Sequence, residues 1–272
     1  MTYSARETSD SQGRPVELYT FNRDYLAWNF TSADRDDELD TVKFEAAVIR
    51  RSAIEQGSEM NRSAMKLTVP RSFPIAELYR VSPPSDAITC IVRRRHVGDD
   101  EVATIWTGRV VNVAWTVDGT QATITMEPVF TSMRRNGLRR CYGRLCPHVL
   151  YGPDCRAPRE EFRVDGVVAE IDGPSVVAVE WAPFDPGYFD GGYIEWDVET
   201  GIFERRFITS SVAGTLLLAS PPDGLAMGAV VRAYPGCDHT LMTCETKFDN
   251  VLNYGGTPFV PRKNPFDGSP IY

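Results

Sequence analysis

A chain of 272 residues with 42% apolar and 24% charged side chains can bury a real core, which excludes the disordered and fibrous classes and leaves room for a domain plus a smaller module. Its formal charge of −8 argues against sequence-specific nucleic-acid binding, because a surface that neutralises phosphates needs a basic excess. No stretch approaches the roughly 20 apolar residues that cross a bilayer, and the polar start lacks the apolar centre of a secretion signal, so no membrane insertion is expected and the chain is expected to be made in the cytosol.

Segments 16–22, 26–30, 42–50 and 64–69 are rich in β-branched and aromatic residues between polar turns, and predict strands. Pro74 suits the first turn of a short helix over 74–79. Strands follow at 87–94, 103–117 and 120–129, with Asp118 and Gly119 predicting a tight hairpin turn. Residues 1–135 thus read as a compact antiparallel β domain. Over 136–159 the strand pattern stops: Arg139, Arg140 and Arg144, following Arg134 and Arg135, interleave with Cys141, Cys146 and Cys155 in a loop-rich junction. Strand signals resume at 162–170, 175–181, 192–198, 203–208, 215–219 and 229–234, and predict a smaller β module inserted over 160–235. The C-terminal segment, 236–272, carries Cys237 and Cys244, and its one predicted helix, 241–252, places Leu241, Cys244, Phe248, Val251 and Leu252 on one stripe. The fold class is therefore mainly β.

Six cysteines in a chain of this length are too sparse for a disulfide scaffold. Cys90 lies in an apolar strand and reads as core. Cys146 and Cys155 are nine apart, Cys237 and Cys244 seven apart, each pair beside turn formers such as Pro147, Pro153 and Gly236. Thiolate sulfur suits iron–sulfur clusters and structural zinc alike. The lack of a C-x-x-C knuckle leans toward the larger cluster, while small buried hydrophobes are the ordinary alternative. Cys141 is either a spare thiol or a ligand, and His148 and His239 are positioned to replace a cysteine. The arginines at 134, 135, 139, 140 and 144 are either donors to a negatively charged cluster or a solvated basic face.

The stretches LRRCYGRLCPHVLYGPDC (138–155) and GCDHTLMTCETKFDNVLNYGGTPFVP (236–261) resemble the tail-tip hub family of long-tailed bacteriophages and gene transfer agents. PVELY (15–19), LYRVSPP (78–84), WTGRV (106–110) and EPVFTSMRRNGLRR (127–140) extend the likeness over most of the chain. The resemblance implies a virion protein of the tail tip, assembled in the host bacterial cytoplasm. It further implies a homotrimeric hub, with residues 1–135 as the hub domain, that closes the tail tube between the distal tail protein and the central fibre or spike protein. By the same resemblance, Cys146, Cys155, Cys237 and Cys244 are the ligands of a [4Fe–4S] cluster, which makes 236–272 an iron–sulfur region; Cys141 has no counterpart, and the module over 160–235 is longer than in the lambda protein.

No GxxxxGK[ST], GxGxxG or HExxH pattern is present, and three scattered histidines leave little for a triad. Glu45, Glu127 and Asp190 are the carboxylates to weigh for cleavage of cell-wall sugars, but acidic residues are plentiful on any soluble surface. The expectation is a structural protein and no enzyme. Its alternatives are a zinc-stapled tail protein, a cluster with a redox or sensing role, and a receptor-binding tail-tip module.

Overall fold

The computed structural model describes residues 3–9, 13–54, 64–98, 101–134, 142–199 and 201–261; Cys141, Arg135, Arg139 and Arg140 lie outside them, as does the side chain of Arg134. The fold is mainly β. The chain divides into two compact units, Met1–Arg135 and Asn136–Tyr272.

In the first unit the strands are β1 (Pro15–Arg23), β2 (Leu26–Thr31), β3 (Asp37–Leu39), β4 (Val42–Ala46), β5 (Arg50–Arg51), β6 (Met65–Pro70), β7 (Thr89–His96), β8 (Val102–Trp115) and β9 (Gln121–Pro128). They form one sheet in the order β3-β4-β2-β1-β7-β8-β9-β6-β5. Alternation explains which face is buried: Met65, Leu67 and Val69 of β6 lie beside Ala122, Ile124 and Met126 of β9, and all six are buried. Burying each of the larger ones contributes roughly 1.5–3 kcal/mol. Helix α1 (Tyr3–Glu7) has no signal in the sequence pattern, whereas α2 (Pro74–Glu77) begins on the expected proline and sends Ile75 and Ala76 into the core beside Phe21, Phe30 and Phe73.

Two details depart from the sequence reading. The sheet is not wholly antiparallel, since β2 and β4 pair in parallel, Phe30 opposite Glu45 and Thr31 opposite Ala46. Between them the chain reverses twice, once after Thr31 and once at the β3–β4 hairpin, where Asp40 and Thr41 take φ of 50° and 68°. Positive φ at two successive turn residues is what a twist-matched two-residue hairpin requires. Asp118 and Gly119 do sit in a hairpin, but its loop runs over 116–120, because the Asp118 carboxylate accepts from the Thr120 N–H at 3.2 Å and holds the turn wider. In β1, Glu17 is 13% exposed and accepts from Arg51 at 2.6 Å, Arg94 at 2.8 Å and the Tyr19 hydroxyl at 2.7 Å.

The second unit contains β10 (Val164–Val167), β11 (Glu170–Asp172), β12 (Ser175–Val177), β13 (Tyr193–Glu199), β14 (Ile202–Val212), β15 (Thr215–Leu218) and β16 (Val230–Tyr234), followed by α3 (Leu241–Thr246). These strands make an antiparallel sheet ordered β10-β16-β13-β14-β15-β12-β11 over a core that includes Val176, Trp181, Phe189, Ile194, Trp196 and Ile208. The strand expected over 175–181 ends at Val177 and tightens into a 3-10 turn, Val179–Trp181. That turn lays the Trp181 ring against Gly166, where an added Cβ would stand 2.8 Å from the ring. On β13 the buried Glu195 accepts from Arg159 at 2.8 Å, Arg205 at 2.7 Å and Arg232 at 3.3 Å. Burial works to raise its carboxyl, but those guanidiniums hold it below its ordinary value.

Candidate metal centre

Strand β16 ends at Tyr234 and hands the chain to Gly236, whose backbone presses on the turn before β13. A Cβ on Gly236 would stand 2.0 Å from the Asp190 oxygen and 2.3 Å from the Gly192 nitrogen, so only glycine allows this approach. The neighbouring Cys237 is thereby anchored to the sheet. Gly236→Ala is expected to lower stability by about 1–3 kcal/mol through this overpacking, read as a reduced urea midpoint. An unchanged midpoint would show that the backbone yields there without cost.

Around the other cysteines the backbone is bent into sparsely populated conformations. Tyr151, Arg156, His239 and Asp249 have φ of 60°, 57°, 63° and 44°, and non-glycine residues seldom adopt such values outside sites that need them. The two cysteine segments are tied through the main chain, with the Cys146 N–H donating to the His239 oxygen at 2.9 Å. Side chains add to this: the Tyr151 hydroxyl donates to the Pro235 oxygen at 2.8 Å and the Tyr254 hydroxyl to the Arg144 oxygen at 2.6 Å. Beneath them the Tyr151, Phe162 and Phe248 rings pack edge-on or tilted, with centroids 5.0–6.4 Å apart.

The helix after Cys237 is shorter than its hydrophobic stripe suggests. The Thr240 hydroxyl caps α3 by accepting from the Thr243 N–H at 3.2 Å. The helix stops at Thr246, since the left-handed Asp249 turns Asn250 back to donate its N–H to the Cys244 oxygen at 3.0 Å. Cys244 and Phe248 are buried as the stripe requires, but Val251 and Leu252 lie in a 3-10 turn, Val251–Asn253, and Leu252 is fully exposed.

Cys146, Cys155, Cys237 and Cys244 line one small cavity of about 20 Å³, together with His148, His239, Phe248 and Asn250. All four are free thiols, Cys244 buried and the others half-buried. Among the described residues no group of three or more histidines, cysteines or carboxylates is drawn close enough to hold a single metal ion. The four sulfurs therefore surround a shared space without converging on a point within it. Three of them accept hydrogen bonds, Cys146 from the Gly255 N–H at 3.4 Å, Cys237 from the His239 N–H at 3.3 Å and Cys155 from Asn250 Nδ2 at 3.6 Å. Gly255 reaches its sulfur because it lacks a Cβ, which would meet the His148 ring at 2.4 Å. Donors of this kind stabilise a sulfur once it is a thiolate. As thiols, Cys237 is raised by burial, and Cys244 is pushed up to about 11 by burial and by the neighbouring sulfurs. A metal taking these sulfurs must displace their protons.

The residues expected to assist fall out differently. His239 serves through its main chain, donating to Cys237 and accepting from Cys146. The His148 Nδ1 lies 3.0 Å from the Asn253 oxygen and its ring lines the cavity. Of the arginines only Arg144 can be placed as a side chain, and its main-chain oxygen takes the Tyr254 hydroxyl. The cation that the structure adds is Lys247. Its Nζ donates to the Gly236 oxygen at 2.8 Å and to the Tyr188 oxygen, and lies 4.4 Å over the Tyr188 ring. Burial lowers the Lys247 ammonium, and Cys237 and Asp190 oppose that shift. Cys90 is fully buried in the first unit's core, as its apolar strand implied. Among the carboxylates weighed for catalysis, Glu127 binds Arg109 at 2.6 Å and Asp190 accepts from Ser211 at 2.9 Å, each a local structural contact, while Glu45 lies exposed on β4.

Comparisons with known proteins place this geometry in context. Residues 187–264, which include Cys237 and Cys244, match the sequence model of a family described as "Phage conserved hypothetical protein BR0599". An uncharacterized protein of Xylella fastidiosa (strain 9a5c) is 27% identical over 187 residues, covering 63% of this chain and 38% of that protein, so the chain spans well under half of the relative's length. A chain in a solved structure titled "Virion of native gene transfer agent (GTA) particle" superposes with a TM-score of 0.80 at 20% identity, over 99% of this chain and 96% of that one. The resemblance to phage tail-tip and gene transfer agent proteins thus rests on a phage-family segment that carries half of the cysteine set, and on a fold shared over the whole chain with a component of such a particle.

Proposed function

We propose that the protein is a structural component of a phage or gene-transfer-agent virion, a tail-tip hub rather than an enzyme. The observation that carries this is the match in fold over 99% of the chain to a chain of the gene transfer agent virion. Exposed apolar side chains beside the cysteines support a role in assembly: Tyr142, Leu252 and Phe259 are each more than 90% exposed, as suits residues that other virion proteins cover. The hub reading makes the chain a homotrimer closing the tail tube between the distal tail protein and the central fibre or spike.

For the four cysteines, which line one cavity, the cofactor we propose is a [4Fe–4S] cluster. A tetrahedral zinc site at ordinary Zn–S lengths needs sulfurs about 3.8 Å apart, and among the described residues no group of three or more ligands is drawn together to hold a single ion. A four-iron cluster is wider, and each cysteine binds a different corner of it. Ordered N–H donors on three of the sulfurs suit the negative charge of such a centre. Bound there, a cluster supplies the cross-link between the loop after Arg144 and the segment after β16, which their Gly- and Pro-rich sequences leave short of apolar packing.

Anaerobic purification followed by iron and sulfide assay tests the site. The expected result is a brown protein absorbing near about 400 nm, as four-thiolate iron–sulfur centres do. Zinc without iron would replace the cluster by the zinc-stapled alternative, and no metal would end both. Size-exclusion with light scattering tests the hub, a trimer being expected and a lone monomer that binds host cells pointing to the receptor-binding alternative.

A further inference from the structure

One residue touches both cysteine pairs. Asn250 is 9% exposed, and its side-chain Nδ2 donates to the Cys155 oxygen at 2.6 Å and to the Cys155 sulfur at 3.6 Å across 95 residues of sequence. Its main chain faces the other pair, the N–H donating to the Cys244 oxygen at 3.0 Å and the oxygen accepting the Cys244 thiol at 3.3 Å. Its Oδ1 accepts from Asn253 Nδ2 at 2.6 Å, which orients the amide so that its donors face Cys155. Among the four cysteines, two from different segments are thus held by the two ends of a single buried amide residue.

We propose that Asn250 is the positioning residue of the cysteine centre, setting the distance between Cys155 and Cys244 and donating to the Cys155 sulfur when the centre is loaded. The inference rests on the reading that these sulfurs hold an iron–sulfur cluster. Physical chemistry gives the two ends different fates. On ligation Cys244 loses the proton that it donates to the Asn250 oxygen, so that contact ends. The Nδ2 donation strengthens instead, because its acceptor changes from a neutral thiol to a thiolate. A donor on sulfur favours the more negative, reduced state of a cluster and so raises its potential. Glutamine would carry the donors one methylene too far, and aspartate would keep the oxygen for Asn253 while removing both donors.

The test uses the full chain reconstituted with iron and sulfide, as wild type, Asn250→Ala and Asn250→Asp. Three quantities are read: competition for iron by a chelator, the midpoint potential, and melting of the iron-free protein. Both variants are expected to hold iron about 10- to 100-fold more weakly, the usual consequence of losing a partner of a metal ligand, and to show a lower potential. Both variants are expected to melt below the wild type when iron-free, since each removes the Nδ2 bond to the Cys155 oxygen, so iron retention and potential are the quantities that separate positioning from stability. A residue that only stabilised the fold would change the melting and leave the potential alone. Variants that match the wild type in retention and potential sink this inference by itself. A wild-type chain that takes up no iron sinks the cluster reading and this inference together.

Discussion

If the four cysteines hold the proposed iron–sulfur cluster, replacing Cys155 or Cys237 by serine is expected to remove most of the iron and to leave the segments 142–161 and 236–261 open to proteolysis, while the sheet of the second unit stays folded. The effect is large because metal binding and folding are coupled in loops whose own apolar packing is a small one around Tyr151, Phe162 and Phe248, where ligation contributes on the order of 10 kcal/mol. The sheet has its own apolar core around Trp181, Trp196 and Phe189, so damage should stop at its edge. Cys90→Ser supplies the control: Cys90 is buried among apolar side chains of the first unit, so its loss should lower stability and leave the iron unchanged. If the chain is the proposed tail-tip hub, a phage or gene transfer agent carrying the Cys155→Ser or Cys237→Ser change should form heads and tail tubes but no infectious tails. Full iron content in both single variants would remove these cysteines from the site.

Acid should weaken the first unit through Glu17, and the effect should vanish in Glu17→Gln. Burial by itself works to raise this carboxyl, but hydrogen bonds from Arg51, Tyr19 and Arg94, with the attraction of Arg51, bring it from 4.5 down to about 2. A carboxylate depressed in the folded state stabilises above its unfolded value, and that contribution is lost as pH falls through its folded value. The window therefore runs from about 4.5 to about 2, and the depression corresponds to about 3 kcal/mol at neutral pH. Urea unfolding at pH 7 and pH 3 should show the wild type losing part of this and the Gln variant, already weaker at pH 7, losing less. Equal acid sensitivity in the two proteins would assign the effect to other carboxylates.

Much of this architecture was legible in local pattern. Alternation along 64–69 and 120–129 located β6 and β9 to within a residue or two, because a half-buried strand must repeat with period 2. Where the pattern misled, a tertiary contact had intervened. The stripe over 241–252 extended a helix past Asp249, whose left-handed backbone is stabilised by Asn250 folding back onto Cys244. The strand over 175–181 stopped early so that Trp181 could pack on Gly166. Glu45, Glu127 and Asp190 carried no signal that separated catalytic from structural carboxylates, and their contacts lie with Arg109 and Ser211 or with solvent.

By itself the sequence determined a mainly β chain and marked Cys146, Cys155, Cys237 and Cys244 as the residues to watch, since strand periodicity, turn formers and cysteine spacing are all properties of near neighbours. Only the tertiary structure decided that β4 lies parallel to β2, that those four sulfurs share one cavity, and that Lys247 and Asn250 stand around it. Each of those outcomes depends on segments brought together from far along the chain, as with the 95 residues between Asn250 and Cys155, and no local pattern encodes such a distance.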